Sequence, residues 1–490
     1  MNFKRIAPIV TAISFIATVG LTSCGHDPMM DEEIEIPEEV TTIEVTTENT
    51  TEESTEEETE APTKAENILL ESGGDTFTVV AWNKEDAPFL IANWLDIDPK
   101  VVLSGDEIKT PNGTNVVFKS LDTSGFNAAE EYERMLYNAE DVDVYLCESD
   151  WAMKFMNSSL FSAPMYALDI EEDDLEEMYP YTIEQCKNEF GELMGVSPTA
   201  SPGCFAYRSD LAKDYLGVSS PEEMQATISD WERFTQAATI VAEKSGGKTS
   251  LVASVDDMWQ AYSSGLKNPL VVDNQLNISE EIREFAEMSK KLWECGGVSQ
   301  NSQWTDEWYE AGTNDKTIGY FAPSWGFLDN TFLMGATEGK GMGKWALCDG
   351  PQPFSWGGYV LVVNPLTDNG VEAHDFLTSS IFDYSNLIEG ASRTASLPNN
   401  IPVTEYLIDS EFSSTESIKD HFINGQDYLT ILDRNAKAVD LKGKLTEYDS
   451  EIKAVTISAI FDYLRNDESW DDTVSYIEDH VYIFYPELIK

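Results

Sequence analysis

The sequence predicts an α/β architecture with more than one core, and three observations carry that expectation. β-rich runs alternate with amphipathic helical stretches, a pattern that calls for largely parallel sheets with both faces covered. Periodicity breaks at Gly195–Arg208 (GVSPTASPGCFAYR) and at Asp349–Pro353 (DGPQP), where Gly and Pro mark passages between sub-structures. The chain has 490 residues, 42% hydrophobic and 11% aromatic, enough for roughly two or three domain-sized cores.

The elements follow in order. Thr76–Trp82 (TFTVVAW) reads as a strand, Pro88–Leu95 has helical apolar spacing, and Asn115–Phe118 is a second strand. Ala128, Tyr132, Met135, Leu136 and Ala139 recur at intervals of three and four, predicting a helix that leads into a strand at Val142–Cys147. Ligands of such sheets collect at the carboxyl ends of strands. Those ends carry Trp82, Asn83, Glu85 and Asp86 after the first strand, and Glu148, Asp150 and Trp151 after the third. Further on, Trp231, Phe234, Ala238 and Val241 form one helical face, so Trp231 is assigned to the core. The helix over 280–293 presents Ile282, Phe285, Ser289, Leu292 and Trp293 and stops at Gly296-Gly297. Trp304 and Trp308, four apart, are expected to be a packed helical pair.

Ile318–Asn364 organises the whole. Ile318–Phe321 is a short apolar run ending at Ala322-Pro323-Ser324, which predicts an edge position for Trp325. Trp345–Cys348 is a second run. After the Pro-rich link, Trp356-Gly357-Gly358 opens a third strand at Tyr359–Val363. This order of a strand, a Ser-Trp turn, a Pro-containing crossover and a Gly-Gly-aromatic strand resembles the extracellular solute-binding proteins of carbohydrate ABC transporters, the class that includes maltose-binding protein. Tyr207-Arg208-Ser209-Asp210-Leu211, Asp230-Trp231-Glu232-Arg233-Phe234 and the loop Ser392–Asn400 are similar to segments of the same family.

The resemblance covers about residues 75–490 and implies a two-lobed, type II periplasmic-binding-protein-like fold, with three hinge crossings and a ligand cleft between the lobes. The expected amino-terminal lobe spans 73–198 plus 353–398, and the carboxy-terminal lobe 205–348 plus 403–490. It implies a monomer that captures a carbohydrate and delivers it to ABC permease subunits, without catalysis and without a cofactor. A sugar site needs flat aromatic faces and short polar groups for hydroxyl pairs. The expected ligand contacts are therefore Trp82, Asn83, Glu85, Asp86, Glu148, Asp150, Tyr207, Trp259, Ser324, Trp325, Trp356, Gly357, Gly358, Tyr359 and Arg393, with Trp325 foremost. Taken singly, each Trp is more often core, and Arg393 more often pairs with a nearby acid. A lipid-anchored surface glycosidase or a glycan-adhesion lipoprotein is the alternative, since paired carboxylates occur anywhere among 89 acidic residues.

Residues 1–23 read as a signal peptide: Lys4-Arg5, an apolar stretch to Gly20 broken by Thr11, Ser14 and Thr18, then Leu21-Thr22-Ser23-Cys24. The stretch is too short for a membrane span. Leu-Thr-Ser-Cys resembles the lipobox of bacterial lipoproteins, which implies a diacylglyceryl group on Cys24 and anchoring to the extracytoplasmic face of the cell membrane. Residues 24–72 form a Thr/Glu-rich tether; fourteen of the thirty residues from Asp31 to Glu60 are acidic, too polar to bury a core. A flexible coil of that length spans roughly 40 Å.

Several chemistries are set aside. A net charge of −58 offers no basic footprint for nucleic acid. The four histidines are scattered and no Cys-x-x-Cys occurs, so no metal site is expected. Asp169–Asp173 hints at a calcium loop, but Asp174 and Pro180 stand where an EF-hand needs Gly and Glu. Beyond Cys24, five cysteines remain, an odd number, so at least one is expected to be free.

Overall fold

The computed structural model describes residues 69–489 apart from 124, 327–340, 342, 395, 411–422, 424 and 467. The expected signal peptide, Cys24 and nearly all of the expected tether lie outside them. The tether ends earlier than the sequence suggested: Leu69 and Leu70 pack against the first core, and Ser72 bridges Asn369. Two adjacent leucines have apolar area to bury, which the Thr/Glu repeat before them lacks.

Fifteen strands are described. β1 (Thr76–Ala81), β2 (Ile108–Lys109), β3 (Asn115–Ser120), β4 (Val144–Glu148) and β5 (Gly195–Val196) precede the first crossover. After β6 (Thr199–Ala200) come β7 (Gly203–Arg208), β8 (Ser250–Ser254), β9 (Val271–Val272), β10 (Gln275–Leu276), β11 (Val298–Asn301), β12 (Thr317–Pro323) and β13 (Trp345–Cys348). The last are β14 (Tyr359–Val363) and β15 (Leu397–Pro398). One sheet runs β2-β3-β1-β4-β14-β5, and a second runs β11-β8-β12-β7-β13. Parallel pairing of β1 with β3 and β4, and of β8 with β11 and β12, follows from the helices that cross between them. Strand β14 returns antiparallel, setting Tyr359 opposite Glu148. Each sheet has its own core, one built on Phe77, Val79 and Tyr145, the other on Phe205, Phe234 and Phe321.

The chain passes between the sheets at β5–β7, at β13–β14 and before β15. Strands β6 and β15 pair antiparallel, and Pro202 bridges Ser355, so the three passages are stitched together. Gly203 is needed there, since a Cβ would lie 2.0 Å from the Phe354 ring. At Gly358 the backbone has φ +92°, a region that strongly favours glycine.

Helix ends are set locally. Asp230 caps the helix Trp231–Ser245 by accepting from Arg233 N, and Ser469 caps Trp470–Phe484 by accepting from Asp472 N. The helix Glu280–Cys295 ends on left-handed Gly296. Two helices follow β14 in succession, Gly370–Ile381 and Tyr384–Thr394. Asp383 causes the break, because its carboxylate accepts from Ser385 N and Asn386 N and starts a new helix. β12 is central in its sheet rather than an edge strand, a correction to the expected position of Trp325. Pro323 is tolerated because it is the last residue of the strand. All five cysteines among the described residues are free. No helix among the described residues is long and apolar enough to cross a membrane.

Candidate binding cleft

The loops after β4 face loops of the other sheet's half of the molecule across a cavity of about 60 Å³. Ser149 and Asp150 line it from one side, Ser263, Asn268, Lys444 and Lys453 from the other, and Ser355 and Gly357 from the crossover. That volume suits a handful of waters rather than a sugar ring. A second cavity, of about 50 Å³, lies beside the hinge between Asp86, Tyr359, Thr199 and Pro398. The first is the better binding candidate, because both halves line it and it lies at strand ends.

Three indoles form a cluster beside Gly357. Trp325, on the turn after β12, donates from Nε1 to the Trp356 carbonyl at 2.9 Å, and their rings meet edge to face at 5.7 Å. Trp304 lies nearly parallel to Trp325, with centroids 6.5 Å apart and an interplanar angle of 14°, and 5.9 Å from Trp356. Trp325 and Trp356 were expected to approach from opposite lobes; instead both pack with the second core, in contact at the hinge.

Trp304 packs against Trp308 as expected, with ring centroids 5.3 Å apart, but not as a helical residue. It precedes the helix Asp306–Ala311 and has φ +66°, unusual for a bulky side chain. Only Trp308 is helical and buried. Two carboxylates hold the loop: Asp256 accepts from Gln303 N at 3.1 Å, and Asp257 accepts from Gln303 Nε2 at 2.7 Å and from Trp308 Nε1 at 3.0 Å. Burial pushes Asp257 up to about 8, the Gln303 and Trp308 donors opposing and Asp256 adding; burial pushes Asp256 up to about 6.

The first-sheet candidates form a separate group. Trp82 is 8% exposed and meets Tyr359 edge to face at 6.2 Å. Asp86, half-buried, faces the hinge cavity with Tyr359; burial first, then Glu85, pushes its carboxyl up to about 7. Asn83 caps its own turn, its Oδ1 accepting from Glu85 N at 3.1 Å. Glu148 accepts from Trp151 Nε1 at 2.8 Å, and burial holds its carboxyl above the usual range.

Asp150 and Gly357 thus line the interlobe cavity, Asp86 and Tyr359 the hinge cavity, and Trp325 and Trp356 the indole cluster. Tyr207 and Trp259 are brought to none of these. Tyr207, 2% exposed, packs with Phe205 on β7, and Trp259, 3% exposed, packs on Phe285. Both lie on the apolar faces of their elements, and the core claims them. Ser324 is buried and donates to the Ala200 carbonyl at 3.3 Å, which ties β12 to the crossover. Gly358 passes its carbonyl to Ser149 N. The side chain of Arg393 lies outside the described residues.

No protein-family model and no curated protein sequence matches the chain. Solved structures do. An extracellular solute-binding protein family 1 structure matches with TM-score 0.68 at 17% identity, covering 83% of this chain and 99% of that one. The galacto-N-biose/lacto-N-biose I-binding protein of an ABC transporter from Bifidobacterium longum, in complex with lacto-N-biose, matches with TM-score 0.60 at 15% identity, covering 84% and 98%. The sugar-binding protein MalE from Xanthomonas citri matches with TM-score 0.60 at 17% identity, covering 83% and 96%. From Leu69 onward the chain has the two-lobed α/β fold of extracellular sugar-binding proteins such as these.

Proposed function

We propose that this protein is an extracytoplasmic receptor that captures a carbohydrate, an oligosaccharide rather than a single ring, by hinge closure and hands it to an ABC permease. The observation that carries the proposal is the interlobe cavity, lined from both halves by hydroxyl and amide groups and adjoining the Trp304, Trp325 and Trp356 cluster. Hydroxyls and amides match sugar hydroxyls, and indole faces match the apolar side of a pyranose ring. The three stitched crossings suit a hinge that opens to admit ligand. On this reading the lobes are 73–198 plus 353–398 and 205–348 plus 403–490, the protein works as a monomer, and a lipid on Cys24 holds it to the membrane.

The test is a thermal-shift screen of mono- and oligosaccharides at millimolar concentration. A ligand that binds only the native state stabilises it by about 2.7 kcal/mol at 100 times Kd, which in so large a chain raises the melting midpoint by a few degrees. A midpoint rise with an oligosaccharide recovered intact supports the proposal. Hydrolysis of any of the sugars, with no binding of an unaltered one, overturns it in favour of an enzyme.

A further inference from the structure

Acidic residues outnumber basic ones 89 to 31 over the chain, yet the interlobe cavity is lined by two lysines, Lys444 and Lys453, against two carboxylates, Asp150 and Asp449. Lys453 is half-buried on the helix Asp449–Asn466, one turn beyond Asp449, at the i,i+4 spacing at which ion pairs form. That pair is not made. The Asp449 carboxylate instead accepts from Thr446 Oγ1 at 2.6 Å and from Thr446 N at 3.2 Å. Lys453 makes neither a hydrogen bond nor a salt bridge among the described residues. Among the described residues Lys444 pairs with the exposed Asp440 alone, at 3.6 Å. Asp449 and Lys453 still act on each other electrostatically, but without a direct contact the ammonium keeps its hydrogen-bond donors open to an anion that enters beside it.

We infer that Lys453, assisted by Lys444, forms an anion subsite in this cleft and that the carbohydrate is acidic, carrying a uronate carboxylate. The inference rests on the proposed capture of carbohydrate and deepens it by naming the class. A carboxylate fits better than a phosphate ester because Asp150 and Asp449 share the cavity. The two ammonium groups already stand against those two carboxylates, so a single ligand carboxylate meets less repulsion than a phosphate dianion does. Burial holds the Asp449 carboxyl above its usual range, Lys453 and Thr446 opposing and Asp150 across the cavity adding. Ser149, Ser263 and Asn268 remain to meet the hydroxyls.

The test is calorimetric titration of the protein with a disaccharide of one galacturonate and one galactose, with the neutral galactose disaccharide and with a monosulfated disaccharide, on wild type, Lys453→Gln and Lys453→Arg. The expected result is at least tenfold tighter binding of the uronate disaccharide than of the neutral sugar by wild type. Lys453→Gln should collapse that ratio toward one and Lys453→Arg should retain it, with the unliganded melting midpoint of each variant confirming a folded protein. Equal affinity for neutral and acidic sugar in wild type overturns the inference and leaves carbohydrate capture standing. A preference that survives in Lys453→Gln overturns the subsite, and binding of the sulfated sugar alone overturns the uronate assignment. Failure of every sugar to bind overturns the inference and the proposed function together.

Discussion

Replacing Asp257 by Asn should flatten the pH dependence of stability, and the structure gives both sign and size. Asp257 is fully buried, and burial raises its carboxyl from 3.8 to about 8. Between those values the native state holds a proton that the unfolded chain has released. The stability this proton confers is complete below pH 3.8 and is lost as pH rises through about 8. One such proton gives a slope of roughly 1.4 kcal/mol per pH unit, or about 3 kcal/mol between about pH 5 and about pH 7. Asp86 and Asp256 are raised with the same sign, so the variant keeps part of the wild-type slope. Asn preserves the shape and leaves Oδ1 for Gln303, but sets an amide against Trp308 Nε1, which costs about 1 kcal/mol at low pH. Urea denaturation of both proteins at the two pH values, followed by tryptophan fluorescence, measures the slopes. Wild type should lose about 3 kcal/mol more than the variant over the interval. Parallel losses would refute the claim that Asp257 carries the proton.

Two further outcomes are expected. Trp304→Ala and Trp325→Ala should each weaken oligosaccharide binding by about 1.5 to 3 kcal/mol, read by calorimetric titration; unchanged affinity in a destabilised protein would make the cluster packing alone. Cys24→Ala should release the protein from membranes without altering ligand affinity, and a variant that still sediments with membranes would refute the lipid anchor.

Much of the fold was legible because its signals are local. Trp345–Cys348 and Tyr359–Val363 were read to the residue, since each is an unbroken apolar run bounded by Gly, Pro or polar punctuation. The crossovers were legible for the same reason, although Gly203 revealed its necessity only when Phe354 was seen against it. Trp304 was misread as helical because its spacing from Trp308 imitates a helical pair. A competing signal was available: Thr305-Asp306-Glu307 is an N-cap with an acidic first turn, and Thr305 Oγ1 accepts from Trp308 N. A cap at Thr305 puts Trp304 outside the helix and frees it to turn toward Trp325. Trp259 failed in the opposite direction. The resemblance implied a cleft position, while its place in the helix Val255–Ser263 directs it onto Phe285.

Charge separates what the chain says globally from what it says at the cleft. The excess of −58 excludes a polyanionic duplex because such a partner is recognised over a wide surface, by many contacts acting together. A sugar in the cleft meets only the groups within a few ångströms, since exposed charges farther away than about 8 to 10 Å are screened by physiological salt. Within that range the described lining is balanced, Lys444 and Lys453 against Asp150 and Asp449. Lys453 is left without a direct contact because the Asp449 carboxylate turns to Thr446 instead, a choice between two partners at similar sequence distance that no spacing rule decides. An acidic protein can therefore hold an acidic sugar, and the sequence concealed this because its many distant carboxylates outvote two lysines in any sum over the chain.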